Sequence, residues 1–141
     1  MTLVELAKPS DFNKIKDLIV SCKLSTGHIN SAEVWLIKRF EPEILAGCMA
    51  LERRDRRVHI QSLSVDKNYR RQGIARELIE HAFENYLAPG DCLVALTLFW
   101  NNKFYKRVGF HLVNAAEIKR VDDVGSREKH RYCVAFVREK S

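Results

Sequence analysis

The sequence predicts an α/β (α+β) fold: a mixed, mostly antiparallel sheet of about seven strands with helices on its flanks. Three observations point there. Strand-like segments at 33–40, 44–52 and 58–65 follow one another with only short turns between them, the pattern of an antiparallel meander. The succession strand 58–65, helix 71–87, strand 92–99 makes a right-handed crossover between parallel strands. The last of these strands, "CLVALTLF", is apolar throughout, as befits a strand covered on both faces.

Taken in order, "TLVELA" (2–7) alternates and reads as the first strand. Pro9 and Ser10 start a helix whose Phe12, Ile15, Leu18, Ile19 and Cys22 fall at helical spacing. The polar stretch 23–32 is a loop or a short second helix. Glu41-Pro42-Glu43 is the turn between the next two strands, and "RRDRR" (53–57) is a charged turn before the third. Ile74, Leu78, Ile79, Ala82, Phe83 and Tyr86 form one face of the long helix, which Pro89-Gly90 ends. A short helix over 101–108 stops at Gly109, a residue suited to a left-handed cap. "FHLVNA" (110–115) and "RYCVAFVR" (131–138) are the closing strands.

At 141 residues the chain suits a single domain, 1–141, with room for a full core. No apolar run approaches the roughly 20 residues that span a bilayer, and "MTLVELAKPSD" lacks the order of a secretory signal. The expectation is a cytoplasmic protein without membrane contact. Cys22, Cys48, Cys92 and Cys133 form no C-x-x-C pair, so buried free thiols are expected and no metal site. The net charge of +6 favours an anionic partner, which could be nucleic acid, a phosphorylated cofactor or an acidic protein.

One strand is irregular. In "VHIQSLSV" the apolar residues are 58, 60, 63 and 65, so their parity switches between Ile60 and Leu63. A period of two cannot keep all four on one face without an inserted residue, which predicts a β-bulge at Gln61-Ser62. The alternative is that Val58 faces solvent. A bulge frees main-chain groups that must find another partner, a ligand among them.

After that strand comes "YRRQGIA". Unpaired amides at a helix start, with the positive end of the helix dipole, bind anions. Gly73 lets an anion approach the backbone, and Arg70 and Arg71 add charge. Neither the Walker loop nor the G-x-G-x-x-G fingerprint is present. An exposed basic turn that merely starts a helix is the competing reading.

These residues resemble the acyl-CoA signature R/Q-x-x-G-x-G/A of the GNAT superfamily of N-acyltransferases, read here as Arg70-Arg71-Gln72-Gly73-Ile74-Ala75. "LSVD" is similar to that family's L-x-V strand end, and "FYKRVGF" (104–110) to its later F-Y-x-x-x-G-F element. The resemblance implies a splayed parallel strand pair that admits acetyl-CoA as co-substrate, with its diphosphate on the amides of residues 70 to 75. The pantetheine arm would pair with the backbone of Leu63, Ser64 and Val65. It also implies Tyr105 as general acid beside the departing sulfur, where a core tyrosine is the competing reading. Reference values of about 10 for tyrosine and 8.5 for a thiol place full proton transfer uphill by about 2 kcal/mol.

Asn101 stands four residues before Tyr105 rather than the family's usual seven. The resemblance carries a cofactor contact to Asn101, with Asn102 as competitor. His59, six residues before Val65, matches the position of a base in some members, while the second such position holds Gln61, which cannot act as one. The implied reaction moves an acetyl group directly to a primary amine, of a small molecule or a protein, in a ternary complex. A monomer or homodimer without nucleic acid is expected. Two rivals remain: a basic RNA- or ribonucleoprotein-binding module, and an acyl-CoA sensor of the same fold without turnover.

Overall fold

Apolar residues at helical spacing need a sheet to cover, and strands that alternate on two faces need a helix for each. The computed structural model describes residues 3–24, 34–98, 101–113 and 133–141. Its strands are β1 (Val4–Leu6), β2 (Val34–Glu41), β3 (Ile44–Arg54), β4 (Arg57–Val65), β5 (Cys92–Leu98), β6 (His111–Val113) and β7 (Cys133–Glu139). Its helices are α1 (Phe12–Ser21), α2 (Ile74–Tyr86) and α3 (Asn102–Arg107). The strand order is β1-β2-β3-β4-β5-β7-β6, mostly antiparallel, with β4 and β5 the parallel pair. The expected fold class is therefore present. Most of the stretch expected as a loop or short helix (23–32), the connection near 116–130 and the outer ends of the last two strands lie outside the described residues.

The chain forms two compact units, residues 1–52 with 60–86, and residues 53–59 with 87–141. In the first, α1 buries Ile15, Leu18 and Ile19 against Trp35 and Ile37 of β2 and Leu45, Cys48 and Ala50 of β3. The opposite face of the same strands meets α2. Gly47 makes that approach possible: a Cβ there would lie 2.7 Å from Ile74 Cγ2 and 3.4 Å from Leu78 Cδ1. Lys38, paired in register with Gly47, is buried beneath the helix and donates to Glu77. A buried ammonium without such a partner would be strongly unfavourable.

In the second unit β5 and β7 pair from Cys92↔Glu139 to Leu98↔Cys133, and Val94, Ala135 and Val137 form a small core with Cys92, Leu96 and Val113. The short helix α3 ends as expected, with Gly109 at φ 92 and the Phe110 amide donating 3.0 Å to the Tyr105 carbonyl. Cys22, Cys48 and Cys92 are in no disulfide, and burial pushes the Cys48 thiol up to about 12.

Two sequence details resolve here. The parity switch in β4 marks a real break: Ser62 has φ 53, outside the strand region, and Val58 is 2% exposed rather than turned to solvent. The long helix begins at Ile74, not at residue 71, because Arg71 (φ 65) and Gly73 (φ 79) are both left-handed.

Gly47→Ala tests the packing of α2. We expect a loss of about 1–3 kcal/mol in urea unfolding, since Ile74 and the Ser64 carbonyl 3.3 Å away must give. A stability equal to wild type would mean α2 does not rest on β3 as described.

Candidate functional site

The end of β4 and the turn into α2 lie in one unit and are built from short-range contacts. At the break, the Ser62 carbonyl accepts from Ser64 Oγ (3.1 Å) and Cys48 Sγ (3.8 Å). Ser64 is 2% exposed, whereas Leu63 and Val65 are half-buried. Asp66 then organises the turn: its carboxylate accepts from the Asn68 amide (2.8 Å), its carbonyl accepts from the Tyr69 amide (2.9 Å), and its own amide donates to Ala46 O (2.8 Å).

Beyond Asp66 the chain is solvent-facing. Arg70, Arg71, Gln72 and Gly73 are all exposed, and a Cβ on Gly73 would meet nothing within 4 Å. Arg71 and Gly73 are left-handed just before a helix whose first internal bond, Glu77 N to Gly73 O, is 2.9 Å. The first amides of a helix have no partner inside it. The turn thus leads into the positive end of a thirteen-residue helix, the general setting in which main-chain amides bind anions.

The fold gives the Arg70 side chain local partners that the sequence did not announce. Arg70 turns back on the chain: its Nε donates to Val65 O at 3.1 Å and its guanidinium reaches Cys22 Sγ at 3.7 Å. It shapes the turn, and Arg71 beside it is exposed. Cys22, at the C-terminus of α1, packs against the core around Ile15 and Ile19 as expected and also donates 3.6 Å to Val65 O. A helix-end cysteine carries no sequence signal for such a role.

A second missed residue is Glu52. Gln61 Nε2 donates to its Oε2 at 2.7 Å, and the carboxylate thereby fixes which end of the amide is oxygen. Gln61 Oε1 is left buried without a hydrogen bond.

Residues placed by sequence in the other unit are Tyr105, His59 and Asn101. Tyr105 is 6% exposed, stacked on Phe136 (centroids 5.5 Å, 16°) and edge-on to Phe104 and Phe110. Burial pushes its phenol up to about 12. It is therefore neutral at physiological pH and able to donate. His59 is 4% exposed within β4. Asn101 is exposed and its amide nitrogen donates 2.8 Å to Thr97 Oγ1, whereas Asn102 Oδ1 is buried without a hydrogen-bond partner. Of the two asparagines, Asn102 has the unmet acceptor. Among the described residues no group of histidine, cysteine and carboxylate side chains could hold a metal ion.

The profile of a family described as acetyltransferase (GNAT) domain matches residues 30–112, more than half of the chain. No curated protein sequence matches it. Among solved structures, a GNAT-family acetyltransferase from Staphylococcus aureus is similar at TM-score 0.79 and 15% identity, covering 100% of both chains. N-acetylglutamate synthase from Neisseria gonorrhoeae, complexed with coenzyme A and N-acetyl-glutamate, is similar at TM-score 0.81 and 19% identity. It covers 100% of this chain, which spans 35% of that one. The ribosomal-protein-S18-alanine N-acetyltransferase from Escherichia coli is similar at TM-score 0.71 and 16% identity, covering 100% of this chain and 95% of its own. At these identities the structural likeness speaks for the fold.

The raised phenol pKa has a stability consequence. Unfolded tyrosine ionises near 10, so Tyr105 contributes fully below that pH and its contribution is lost as pH rises from about 10 through 12. Wild type should lose on the order of 2–3 kcal/mol over that window relative to Tyr105→Phe. Parallel alkaline unfolding curves for the two proteins would contradict the burial of the hydroxyl.

Proposed function

We propose that this chain, which belongs to the GNAT acetyltransferase family, transfers an acetyl group from acetyl-CoA to a primary amine by direct transfer in a ternary complex. The observation that carries the reading is the turn at 70–75: open backbone at Gly73, two left-handed residues and a helix start, directly after a strand broken at Ser62. These features fit a diphosphate and an extended amide-bearing arm.

Acetyl-CoA supplies an activated acyl thioester and departs as a thiol. The main chain of Leu63, Ser64 and Val65 holds the arm, and the amides of Arg71, Gln72, Gly73, Ile74 and Ala75 hold the diphosphate, with the Arg71 guanidinium adding charge. Arg70 keeps the turn in shape. Asn101 or its neighbour Asn102 contacts the carrier, and the unmet Oδ1 favours Asn102. A main-chain amide near Val65 polarises the carbonyl, as oxyanion holes do. His59 accepts the proton of the attacking amine, directly or through water. Tyr105 donates a hydrogen bond to the sulfur as negative charge develops on it.

The acceptor is a primary amine on a small molecule or on a protein. The sensor and RNA readings gain no specific support from the geometry: the aromatic residues of the later motif, Phe104 and Tyr105, pack on one another.

Release of free thiol from acetyl-CoA across a panel of amines and peptides tests the proposal. Turnover with at least one acceptor is expected. No turnover together with no thermal shift on adding coenzyme A would sink it. In the active enzyme Tyr105→Phe should lower kcat about 10- to 100-fold with coenzyme A affinity retained. An unaltered rate would remove Tyr105 from the chemistry.

A further inference from the structure

The peptide joining Val65 to Asp66 is tied at both ends. Its carbonyl oxygen accepts from Arg70 Nε (3.1 Å) and from Cys22 Sγ (3.6 Å), and its N–H donates to Ala46 O (2.8 Å). The two side-chain donors also touch, Arg70 to Cys22 Sγ at 3.7 Å. Cys22 is itself fixed as the C-terminal cap of α1, with its amide 3.1 Å from Leu18 O and 3.2 Å from Ile19 O. The negative end of that helix suits the Arg70 guanidinium beside it.

This peptide stands between the stretch proposed to hold the pantetheine arm (63–65) and the amides proposed to hold the diphosphate (71–75). We propose that Cys22 is a positioning residue: with Arg70 it locks the Val65 carbonyl and so fixes the spacing between the two halves of the carrier site. The inference rests on the acetyl-CoA reading above. Its consequence is selective. A carrier that bridges both halves needs the lock, whereas one without a diphosphate engages only the first half. Val65 O has its acceptor positions filled from within the protein, so its role toward a ligand is structural, and the arm relies on other main-chain groups of 63–65.

The test compares acetyl-CoA with S-acetylpantetheine, which lacks the diphosphate and nucleoside. After thermal unfolding confirms that Cys22→Ala is folded, the ratio of kcat/KM for the two carriers should fall about fivefold, the scale of one net hydrogen bond. Cys22→Ser, which keeps a donor, should recover part of it, and Cys92→Ala should not alter the ratio. The Cys22→Ala effect should shrink on an Arg70→Ala background, because the two act on one carbonyl. An unaltered ratio, or equal losses with both carriers, would overturn the inference, the latter showing general destabilisation. Calorimetric binding of coenzyme A separates the two levels of the argument. A wild type that binds none removes the acetyl-CoA reading and this inference with it. Equal binding by wild type and Cys22→Ala removes the lock alone.

Discussion

Ending a strand releases main-chain groups that must be satisfied before a ligand can be offered any, and near the end of β4 side chains take up two of its carbonyls. Ser62 leaves the strand conformation, and its carbonyl is taken up by Ser64 and Cys48. Three residues later the Val65 carbonyl is taken up by Arg70 and Cys22. With these acceptors taken up, the exposed turn that follows has left-handed residues at 71 and 73 just ahead of the start of α2. In the proposed carrier site the first amides of α2, which have no partner inside the helix, are the donors offered to the diphosphate.

Much of this was legible in the sequence, because it depended on periods and on residue types that punish alternatives. The break in β4 followed from parity alone, since 58 and 60 cannot share a regular strand face with 63 and 65. The end of α3 followed from Gly109, and the crossover from the order of patterns. What was not legible depended on direction. "RRQG" presents two adjacent arginines that are equivalent on paper, and only the fold shows that Arg70 reaches back to the Val65 carbonyl. The helix boundary moved by three residues for the same reason: helical periodicity extends back through exposed positions that carry no apolar information, so the left-handed turns at 71 and 73 were invisible to it. Glu52 and Cys22 escaped notice because neither belongs to a motif. Each gains its role from a neighbour across the sheet or on another element.

The distribution of charge follows the same logic. A net +6 says little about where a polyanion would bind, because much of the positive charge is consumed locally. Lys38 is committed to Glu77, Arg39 to Asp11 and Glu5, and Arg53 to Asp91. The proposed diphosphate site depends instead on partial charges of fixed amides, which cost no side-chain entropy to order. The buried acceptors on Gln61 and Asn102 are the reverse case, oxygen atoms still without donors. An unmet buried acceptor costs about 1–3 kcal/mol, so each is a place where a donor from outside the chain, solvent or substrate, would be welcomed.

The environment of Tyr105 bears on how the proposed reaction ends. With a phenol pushed up to about 12, transfer of its proton to a thiolate with a reference pKa near 8.5 is uphill by about 5 kcal/mol, more than twice what reference values suggested. Full acid catalysis by the resting phenol is therefore the wrong description. A neutral hydroxyl held by Phe104, Phe110 and Phe136 can still donate to sulfur as it becomes negative, and a hydrogen bond to a charged group is worth about 1.5–3 kcal/mol. Because the rings fix the phenol in advance, little reorganisation is required at the moment charge appears. The sulfur then acquires its proton from solvent, a favourable step at neutral pH for a thiol of that pKa. Burial that weakens the tyrosine as an acid thus keeps it protonated across the working pH range, and so keeps it a donor.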